Sequence, residues 1–244
     1  MQETDGGAAA QFEGARPGML TLLRHGQSEW NRSGRFTGWA DIDLTAAGEA
    51  EAVRAGLLLR DGGYAFDCCF TSALRRAIRS SEIVLQTMGR EDVARAQSWR
   101  LNERHYGALQ GLGPWAAVRR FGVLPVLRAR TTYAYRPPID GAAAEALPAS
   151  DPSGGAVPRA ESLADLRRRL EPFWHESIAP ELARGRSVLV VSHKHALRAL
   201  FGVLTGREGR MASFRVSTGV PIVLTLGQGL AVTECRSLRV PASR

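Results

Sequence analysis

Two histidines occupy equivalent places in the sequence, each directly after an apolar run. His25 follows the run at residues 19–23 (MLTLL) and Arg24, and His193 follows the run at residues 187–191 (SVLVV) and a serine. Short apolar runs of this kind are typical of buried parallel strands, whose carboxyl ends form the ligand crevice of an open sheet. We therefore predict that both imidazoles point at one crevice. The alternative is that each ring bonds only to a backbone carbonyl at its strand end.

Arginine side chains adjoin these histidines and indicate an anionic ligand. Arg24 precedes His25, and Arg76 falls just inside the helix predicted after the strand end at residues 70–72 (FTS). A neutral imidazole nitrogen can attack phosphorus, and guanidinium groups hold phosphate oxygens in a bidentate grip. Gly26 should let backbone N–H groups approach the anion closely. The set predicts phosphoryl transfer through His25.

The leaving oxygen of such a transfer needs a proton, and Glu103 is the best candidate to supply it. Glu103 lies in the segment 101–105 (LNERH). A carboxyl group buried beside phosphate should have a pKa raised toward neutrality, as a general acid requires. The spacing leaves open a surface ion pair between Glu103 and Arg104 instead.

The sequence gives little support to metal, nucleotide or serine chemistry. The pair His193-x-His195 has ligand spacing, but we expect no third ligand near it. The sequence contains no GxxxxGK[ST] loop and no Gly-x-Ser-x-Gly elbow. We therefore predict a metal-independent enzyme.

Composition favours a globular enzyme with a small anionic ligand. The 244 residues are 44% hydrophobic and carry a net charge of +8, without a known nucleic-acid motif. No apolar run approaches the roughly 20 residues that span a bilayer. Three cysteines, two of them the adjacent pair Cys68 and Cys69, give no disulfide framework. We expect a cytoplasmic protein with no nucleic-acid or membrane partner.

Apolar runs alternate with helix-period segments, the pattern of an α/β protein. Beyond the two strands that precede the histidines, we predict strands at 66–71, 221–226 and 230–232, and helices at 45–60, 73–88, 161–178 and 196–204. Pro114 and Pro125 should break any long helix between residues 102 and 136, and Pro172 should kink the helix that contains it. The triple arginine at residues 167–169 is expected to form a solvated helix face.

The predicted domain organisation is simple. We assign residues 19–235 to a single catalytic domain, because no internal repeat or interdomain linker interrupts them. Residues 1–18 begin with acids and then Gly and Ala, so we expect a disordered N-terminal extension. Residues 236–244 are expected to form a C-terminal tail, and residues 137–158 a surface loop rich in Ala, Gly, Pro, Ser and Asp.

The segment 23–31 (LRHGQSEWN) resembles the signature of cofactor-dependent phosphoglycerate mutases, within the histidine phosphatase superfamily. Longer matches specific to the mutase branch are RFTGW at 35–39, FTS at 70–72, RAI at 76–78, LNERHYG at 101–107, ESL at 161–163, PFW at 172–174 and TGVPIV at 218–223. The similarity extends from about Met19 to Leu226.

The resemblance implies a three-layer α/β/α sandwich with a mostly parallel central sheet, and an exchange between 2- and 3-phosphoglycerate. It implies that 2,3-bisphosphoglycerate primes the enzyme by phosphorylating His25. Arg24, Arg76 and His193 would form the phosphate pocket, and Glu103 would be the proton donor and acceptor. The residues expected to line the substrate site are Ser28, Asn31, Thr37, Gly38, Arg104 and Tyr106. The family commonly forms dimers or tetramers, so a homodimer or homotetramer is possible here.

Several positions depart from the family pattern where the substrate carboxylate binds. Pro114 stands in place of a lysine, and an arginine pair is reduced to Arg130-Thr131. Lys194-His195 replaces a Gly-Asn pair, and Lys194 could supply a compensating charge beside Arg130. Three hypotheses therefore stay open. They are a phosphoglycerate mutase with a rearranged carboxylate pocket, a phosphatase or phosphotransferase acting on another small phosphorylated metabolite, and a non-catalytic binder of phosphorylated ligands.

Overall fold

A six-stranded sheet forms the centre of the computed structural model, which describes residues 18–139, 157–206 and 214–239. The strands are β1 (Met19–Arg24), β2 (Cys68–Thr71), β3 (Ala94–Gln97), β4 (Val188–Ser192), β5 (Pro221–Leu226) and β6 (Val232–Ser237). Their order across the sheet is β3-β2-β4-β1-β5-β6. The first four in this order pair in parallel, and β5 and β6 add an antiparallel edge.

Eight α-helices are present in the described ranges. They are α1 (Glu29–Arg32), α2 (Ala46–Asp61), α3 (Arg75–Thr87), α4 (Pro114–Phe121), α5 (Val123–Thr131), α6 (Leu163–Phe173), α7 (Ala179–Ala183) and α8 (Lys194–Thr205). Side-chain caps fix two of the predicted starts. The Thr45 hydroxyl accepts from the Gly48 N–H at 3.0 Å before α2, and Ser162 forms a capping box with Asp165 before α6.

Alternate residues of the central strands fill two separate cores, one on each face of the sheet. In β1, Leu20 and Leu22 pack with the apolar residues of α6 and α8, whereas Leu23 packs with those of α2 and α3. β4 alternates in the same way. Because a strand directs successive side chains to opposite faces, one sheet can hold both helical layers. The predicted three-layer α/β/α sandwich with a mostly parallel sheet is confirmed.

The edge strand β3 is an element that the sequence analysis did not predict. All four of its residues are exposed, and the sequence ARAQ has no apolar run or alternation to mark a strand. The last strand was also misplaced: it was predicted at 230–232, whereas β6 begins at Val232 and continues to Ser237. The predicted domain boundary at residue 235 therefore falls inside a strand.

The prolines between residues 102 and 136 begin helices and do not end them. Pro114 is the first residue of α4, and Pro125 lies in the first turn of α5, where a missing N–H costs no hydrogen bond. The break between the two helices is at Gly122, whose φ of +84° favours glycine. Beyond Pro172, helix α6 passes into a π-helical turn at Trp174–Ile178.

Some predictions fall on residues outside the described ranges. These are most of the N-terminal extension, most of the loop at 137–158 and the last residues of the C-terminal tail. None of the helices in the described ranges is long and apolar enough to cross a membrane.

Candidate active site

Two neighbouring parallel strands bring the two histidines together. β1 and β4 pair with Arg24 opposite Ser192, so the next residues along each chain are His25 and His193. Their ring centroids are 4.9 Å apart, and both rings are buried. The imidazoles thus meet at the carboxyl edge of the sheet, as the two apolar runs predicted.

The hydrogen bonding of His25 fixes which ring nitrogen can react. Nδ1 lies 2.6 Å from the Gly26 carbonyl oxygen, and because a carbonyl only accepts, Nδ1 carries the hydrogen. The lone pair is therefore on Nε2. Burial, together with the charges of Arg76 and Arg24, holds the pKa of His25 well below its usual value. The ring is neutral at physiological pH, as a nucleophile must be.

His193 is oriented by the end of the next strand. Its Nε2 lies 2.8 Å from the Ser72 hydroxyl, which also accepts a hydrogen bond from the Leu74 N–H. In the tautomer in which the Ser72 hydroxyl donates to Nε2, the imidazole hydrogen is on Nδ1. That buried Nδ1 has no hydrogen-bond partner among the described residues. Since buried polar groups are almost always paired, Nδ1–H is a donor that a ligand could satisfy.

Two arginines bring positive charge to the same end of the site. The Arg76 guanidinium is buried and donates to the carbonyls of Ala40 at 2.8 Å and Gly38 at 2.7 Å. Burial lowers the pKa of Arg76 to about 10, so it stays charged at neutral pH. Within the described ranges, the buried Nε atoms of both Arg76 and Arg24 lack a partner. Buried cations without a paired carboxylate are costly and suit an anionic ligand.

Glu103 faces the cavity, and its carboxylate is in contact with His195 and Arg104. Its Oε1 accepts hydrogen bonds from the Arg104 N–H at 2.8 Å and the His195 N–H at 3.2 Å, and lies 3.3 Å from His195 Nδ1. Burial by itself raises the pKa of Glu103, but His195, His193 and the Arg104 N–H together hold that pKa well below its usual value in the free site. The raised pKa that we predicted applies to the carboxyl beside a bound phosphate, and it stays a prediction.

The backbone of Glu103 is held by a buried network that includes Arg169, a residue we predicted on a solvated helix face. Its carbonyl accepts from Trp39 Nε1 at 2.5 Å and from an Arg169 guanidinium nitrogen at 3.0 Å. Arg169 also pairs with Glu161 at 2.6 Å, with side chains only 8% and 2% exposed. The predicted solvated face holds for Arg168, which is 74% exposed, and is wrong for Arg169.

Gly26 has a different role from the one expected. Its N–H donates to the Ser80 hydroxyl at 3.1 Å, so it is not directed at a ligand. A Cβ added to Gly26 would lie 2.1 Å from the carbonyl oxygen of Gly48 in α2. Glycine is therefore required here for close packing of the loop on that helix.

A cavity of about 340 Å³ opens over His25, within the usual size range of small-molecule sites. The predicted residues that line it are Arg24, His25, Asn31, Thr37, Gly38, Arg76, Glu103, Tyr106, Arg130 and Lys194. The lining also includes His195, which was predicted only as a departure from the family pattern, and three residues that the sequence analysis missed: Arg35, Phe36 and Arg198. The individual roles of all these residues stay predictions.

Three predicted site residues are not among the described residues that line the cavity. His193 is fully buried beside His25. The Ser28 hydroxyl accepts from the Asn31 N–H and caps α1. The Arg104 guanidinium lies 4.5 Å from the centre of the Tyr106 ring and donates to the Ala129 carbonyl. The contacts of Ser28 and Arg104 position the lining residues Asn31 and Tyr106.

The missed residues had signals of different strength. Arg35 and Phe36 directly precede the predicted Thr37, and Arg198 is four residues after Lys194 on α8, hence on the same helix face. His195 had a signal as part of the pair Lys194-His195 that departs from the family pattern. The helix predicted at 196–204 begins too late to include it, whereas α8 begins at Lys194, so His195 lies in the first helical turn.

The described residues contain no group of three or more His, Cys, Asp or Glu that could hold a metal ion. An organic phosphate fits the lining better. The inner end offers Arg24, Arg76 and the His193 Nδ1–H, and the mouth carries the cations Arg35, Arg130, Lys194 and Arg198. The site can therefore hold a phosphate next to His25 and a second anionic group farther out.

Comparisons with known proteins agree with this geometry. The chain is 41% identical over 220 residues to 2,3-bisphosphoglycerate-dependent phosphoglycerate mutase 1 of Nitrosomonas europaea, covering 88% of this chain and 94% of that protein. Among solved structures, the alpha-ribazole phosphatase of Shigella flexneri has a TM-score of 0.69 at 24% identity, covering 92% of this chain and 96% of that one. A mycobacterial glucosyl-3-phosphoglycerate phosphatase has a TM-score of 0.68 at 25% identity, covering 91% and 97%.

The resemblance predicted from the segment 23–31 is thereby confirmed at the level of the family. The sequence model of the histidine phosphatase superfamily (branch 1) matches residues 20–232, nearly the whole described domain. The chain belongs to branch 1 of the histidine phosphatase superfamily.

Proposed function

We propose that the chain interconverts 2-phosphoglycerate and 3-phosphoglycerate through a phosphoryl group carried transiently on His25. The observation that carries the proposal is the state of the His25 ring. Its Nδ1 is bonded to the Gly26 carbonyl, which leaves a neutral Nε2 free for attack at the inner end of a cationic cavity. The 41% identity to a mutase named for 2,3-bisphosphoglycerate supports the same reaction.

Charge at the inner end suits the transfer step. As the bond from His25 Nε2 to phosphorus forms and the bond from phosphorus to the leaving oxygen breaks, negative charge is spread over the phosphoryl oxygens. Arg24 and Arg76 line the same cavity as His25. Their Nε atoms have no hydrogen-bond partner in the described part of the chain, so they could donate to those oxygens. The His193 Nδ1–H adds a neutral donor. Such preorganised donors stabilise the charge of the transition state most strongly in a buried site, from which water is excluded.

Glu103 handles the proton of the leaving oxygen in this proposal. In the free site its carboxyl is ionised, because its hydrogen-bond donors keep its pKa low. A phosphate dianion bound beside it adds negative charge nearby, which raises the pKa and favours uptake of a proton. Glu103 then gives that proton to the leaving oxygen. In the return step it takes a proton from the hydroxyl that attacks the phosphohistidine.

The cation arrangement also fits 2,3-bisphosphoglycerate, which carries two phosphates and a carboxylate. Arg24 and Arg76 would hold one phosphate, and the cations at the mouth would hold the remaining anionic groups. When bound, this compound supplies the phosphoryl group that primes His25.

The positions that depart from the mutase pattern divide into two groups in the structure. Pro114 and Thr131 are not among the described residues that line the cavity, and the Thr131 hydroxyl donates to the Leu127 carbonyl of its own helix. Lys194 does line the cavity, one helical turn from Arg198. We propose that Lys194 takes over part of the charge lost at the other two positions.

A second candidate is a phosphatase or phosphotransferase acting on another small phosphorylated metabolite. It is favoured by the exposure of Arg35 and Arg130, which leaves the mouth of the cavity open to water. Water that reaches a phosphohistidine can take the phosphoryl group. The solved relative at 25% identity is itself a phosphatase.

One assay separates the two candidates. The protein is incubated with 3-phosphoglycerate, with and without 2,3-bisphosphoglycerate, and both 2-phosphoglycerate and inorganic phosphate are measured over time. The proposal predicts isomerisation that depends on 2,3-bisphosphoglycerate and greatly exceeds phosphate release. Phosphate release without isomerisation would overturn the mutase assignment and favour the phosphatase.

A further inference from the structure

His195 lies in the wall of the cavity, in contact with Glu103, the proposed proton carrier. It is the second residue of α8 and lines the cavity, and its side chain is only 16% exposed. Its Nδ1 lies 3.3 Å from Glu103 Oε1 and 3.4 Å from the Tyr106 hydroxyl. Its backbone N–H lies 3.2 Å and 3.4 Å from the two carboxylate oxygens of Glu103. His195 therefore contacts Glu103 with both its main chain and its ring.

The state of the ring follows from its surroundings. Burial lowers the pKa of His195 below its usual value, so the free ring is neutral. The neighbouring Glu103 is ionised, and a carboxylate only accepts hydrogen bonds. A ring hydrogen on Nδ1 lies within reach of Oε1, at an Nδ1–Oε1 distance of 3.3 Å, and Nε2 then keeps the lone pair.

We propose that His195 is a positioning residue that controls the proton on Glu103, so that the two side chains act as a carboxylate–imidazole pair. This inference rests on the proposed role of Glu103 in the transfer step. When the bond between phosphorus and the leaving oxygen breaks, the bonding electrons stay on that oxygen, which takes the proton of Glu103. The Nδ1–H of His195 then stabilises the new carboxylate. In the return step Glu103 regains a proton from the attacking hydroxyl.

Several charged groups face the pair and set its titration. Those that face His195 are Glu103, Arg104, Tyr106 and Lys194. The further groups that act on or are acted on by Glu103 are Arg24, His25, Arg76, His193 and Arg198. Because a hydrogen bond to an ionised carboxylate favours the charged form, loss of the His195 donor should raise the pKa of Glu103. In a plot of the rate of His25 phosphorylation against pH, the change in rate that reports the titration of Glu103 should then move to higher pH.

The test compares His195→Leu, which removes the donor, with His195→Asn, whose amide nitrogen can take the place of Nδ1. Phosphorylation of His25 is followed in single-turnover experiments as a function of pH. Two phosphoryl donors are used. Glycerol 3-phosphate has an alkoxide leaving group that needs a proton, and p-nitrophenyl phosphate has a leaving group stable enough to depart without one.

We expect His195→Leu to slow the phosphorylation of His25 by glycerol 3-phosphate by roughly 10- to 100-fold. In the plot of that rate against pH, the change that reports Glu103 should move upward by about one pH unit. The rate with p-nitrophenyl phosphate should change less than about threefold, because no proton is needed. His195→Asn should recover most of the loss. Equal effects on both donors, or an unchanged pH dependence of the rate in His195→Leu, would overturn the inference.

A second measurement does not require turnover. The carboxyl carbon of Glu103 is labelled with carbon-13 and titrated by NMR in the wild type and in His195→Leu. A higher pKa in the variant supports the pair, and an identical pKa overturns it. Absence of phosphohistidine on His25 in the wild type would instead overturn the proposed function, so the two failures are distinguishable.

Discussion

The inner and outer ends of the cavity are built from different parts of the fold. The inner end holds His25 and His193 at the ends of two central parallel strands, with the buried Arg76 beside them. The outer end holds Arg35 and Arg130, which are exposed and come from a loop and from a helix. Strand register fixes the two histidines. The outer side chains are held by surface contacts, Arg35 by a hydrogen bond to the Gly111 carbonyl at 3.3 Å and Arg130 by its place 4.9 Å from the Phe36 ring.

We infer from this difference that the inner end carries out phosphoryl transfer and that the outer end selects the substrate. The inner residues resemble the mutase family at every predicted position, and each is oriented by a hydrogen bond or by burial. The departures at Pro114, Thr131 and Lys194 were expected around the outer anionic group, and of these three Lys194 is among the described residues that line the cavity. A fourth departure, His195, contacts Glu103. We infer that the step on His25 tolerates little change, and that the outer cations can be replaced to alter which phosphorylated compound is accepted. The following variants test this division.

The largest effect is expected for His25→Ala at the inner end. Loss of the nucleophile should lower kcat by about 10⁴-fold or more, because no phosphohistidine can form. His175→Ala, which removes an exposed histidine from the π-helical turn, serves as the control and should leave kcat unchanged. Substantial turnover in His25→Ala would contradict the assignment. The hypothesis of a non-catalytic binder predicts two results instead. The wild type would show no turnover, and His25→Ala would bind the ligand with the same affinity as the wild type.

The network beneath Glu103 should show the next largest effect. Arg169→Met leaves Glu161 buried without its partner, and breaking a buried ion pair costs about 3–5 kcal/mol of the free energy of unfolding. Urea denaturation monitored by circular dichroism measures this. Arg168→Met removes an exposed arginine of the same helix and should change the free energy of unfolding by no more than about 0.5 kcal/mol. Equal effects in the two variants would show that the network does not support the inner end.

A smaller effect is expected at the outer end. Lys194→Ala removes one of several cations around the second anionic group, so KM for 3-phosphoglycerate should rise about tenfold, since a hydrogen bond to a charged group contributes about 1.5 kcal/mol or more. The kcat should change little. Arg60→Ala removes an equal charge from an exposed site and is the control. A large fall in kcat with unchanged KM would place Lys194 in the transfer step and contradict the division.

The sequence predicted the inner end well because its positions follow from strands. Each histidine follows a buried apolar run, and the parallel register of β1 and β4 then places the rings together without further information. The edge strand β3 was missed because four exposed residues give no apolar signal. Helix starts with a side-chain cap, at Thr45 and Ser162, were predicted closely.

The outer end and the support of Glu103 could not be read from residue types alone. A triple arginine does not reveal that Arg169 turns inward to Glu161, because that depends on how α6 packs against the segment at residues 99–103. The position of His195 depends on where α8 begins. The lowered pKa of Glu103 in the free site could not be predicted from burial, because it depends on the groups that contact the carboxylate.

The most direct test of the central claim is a rapid-quench experiment with 2,3-bisphosphoglycerate labelled with phosphorus-32. We predict that the label accumulates within one turnover as an acid-labile, base-stable adduct, and that peptide mapping places it on His25. The adduct should disappear when 3-phosphoglycerate is added. Turnover without a labelled histidine, or a label on another residue, would contradict the account.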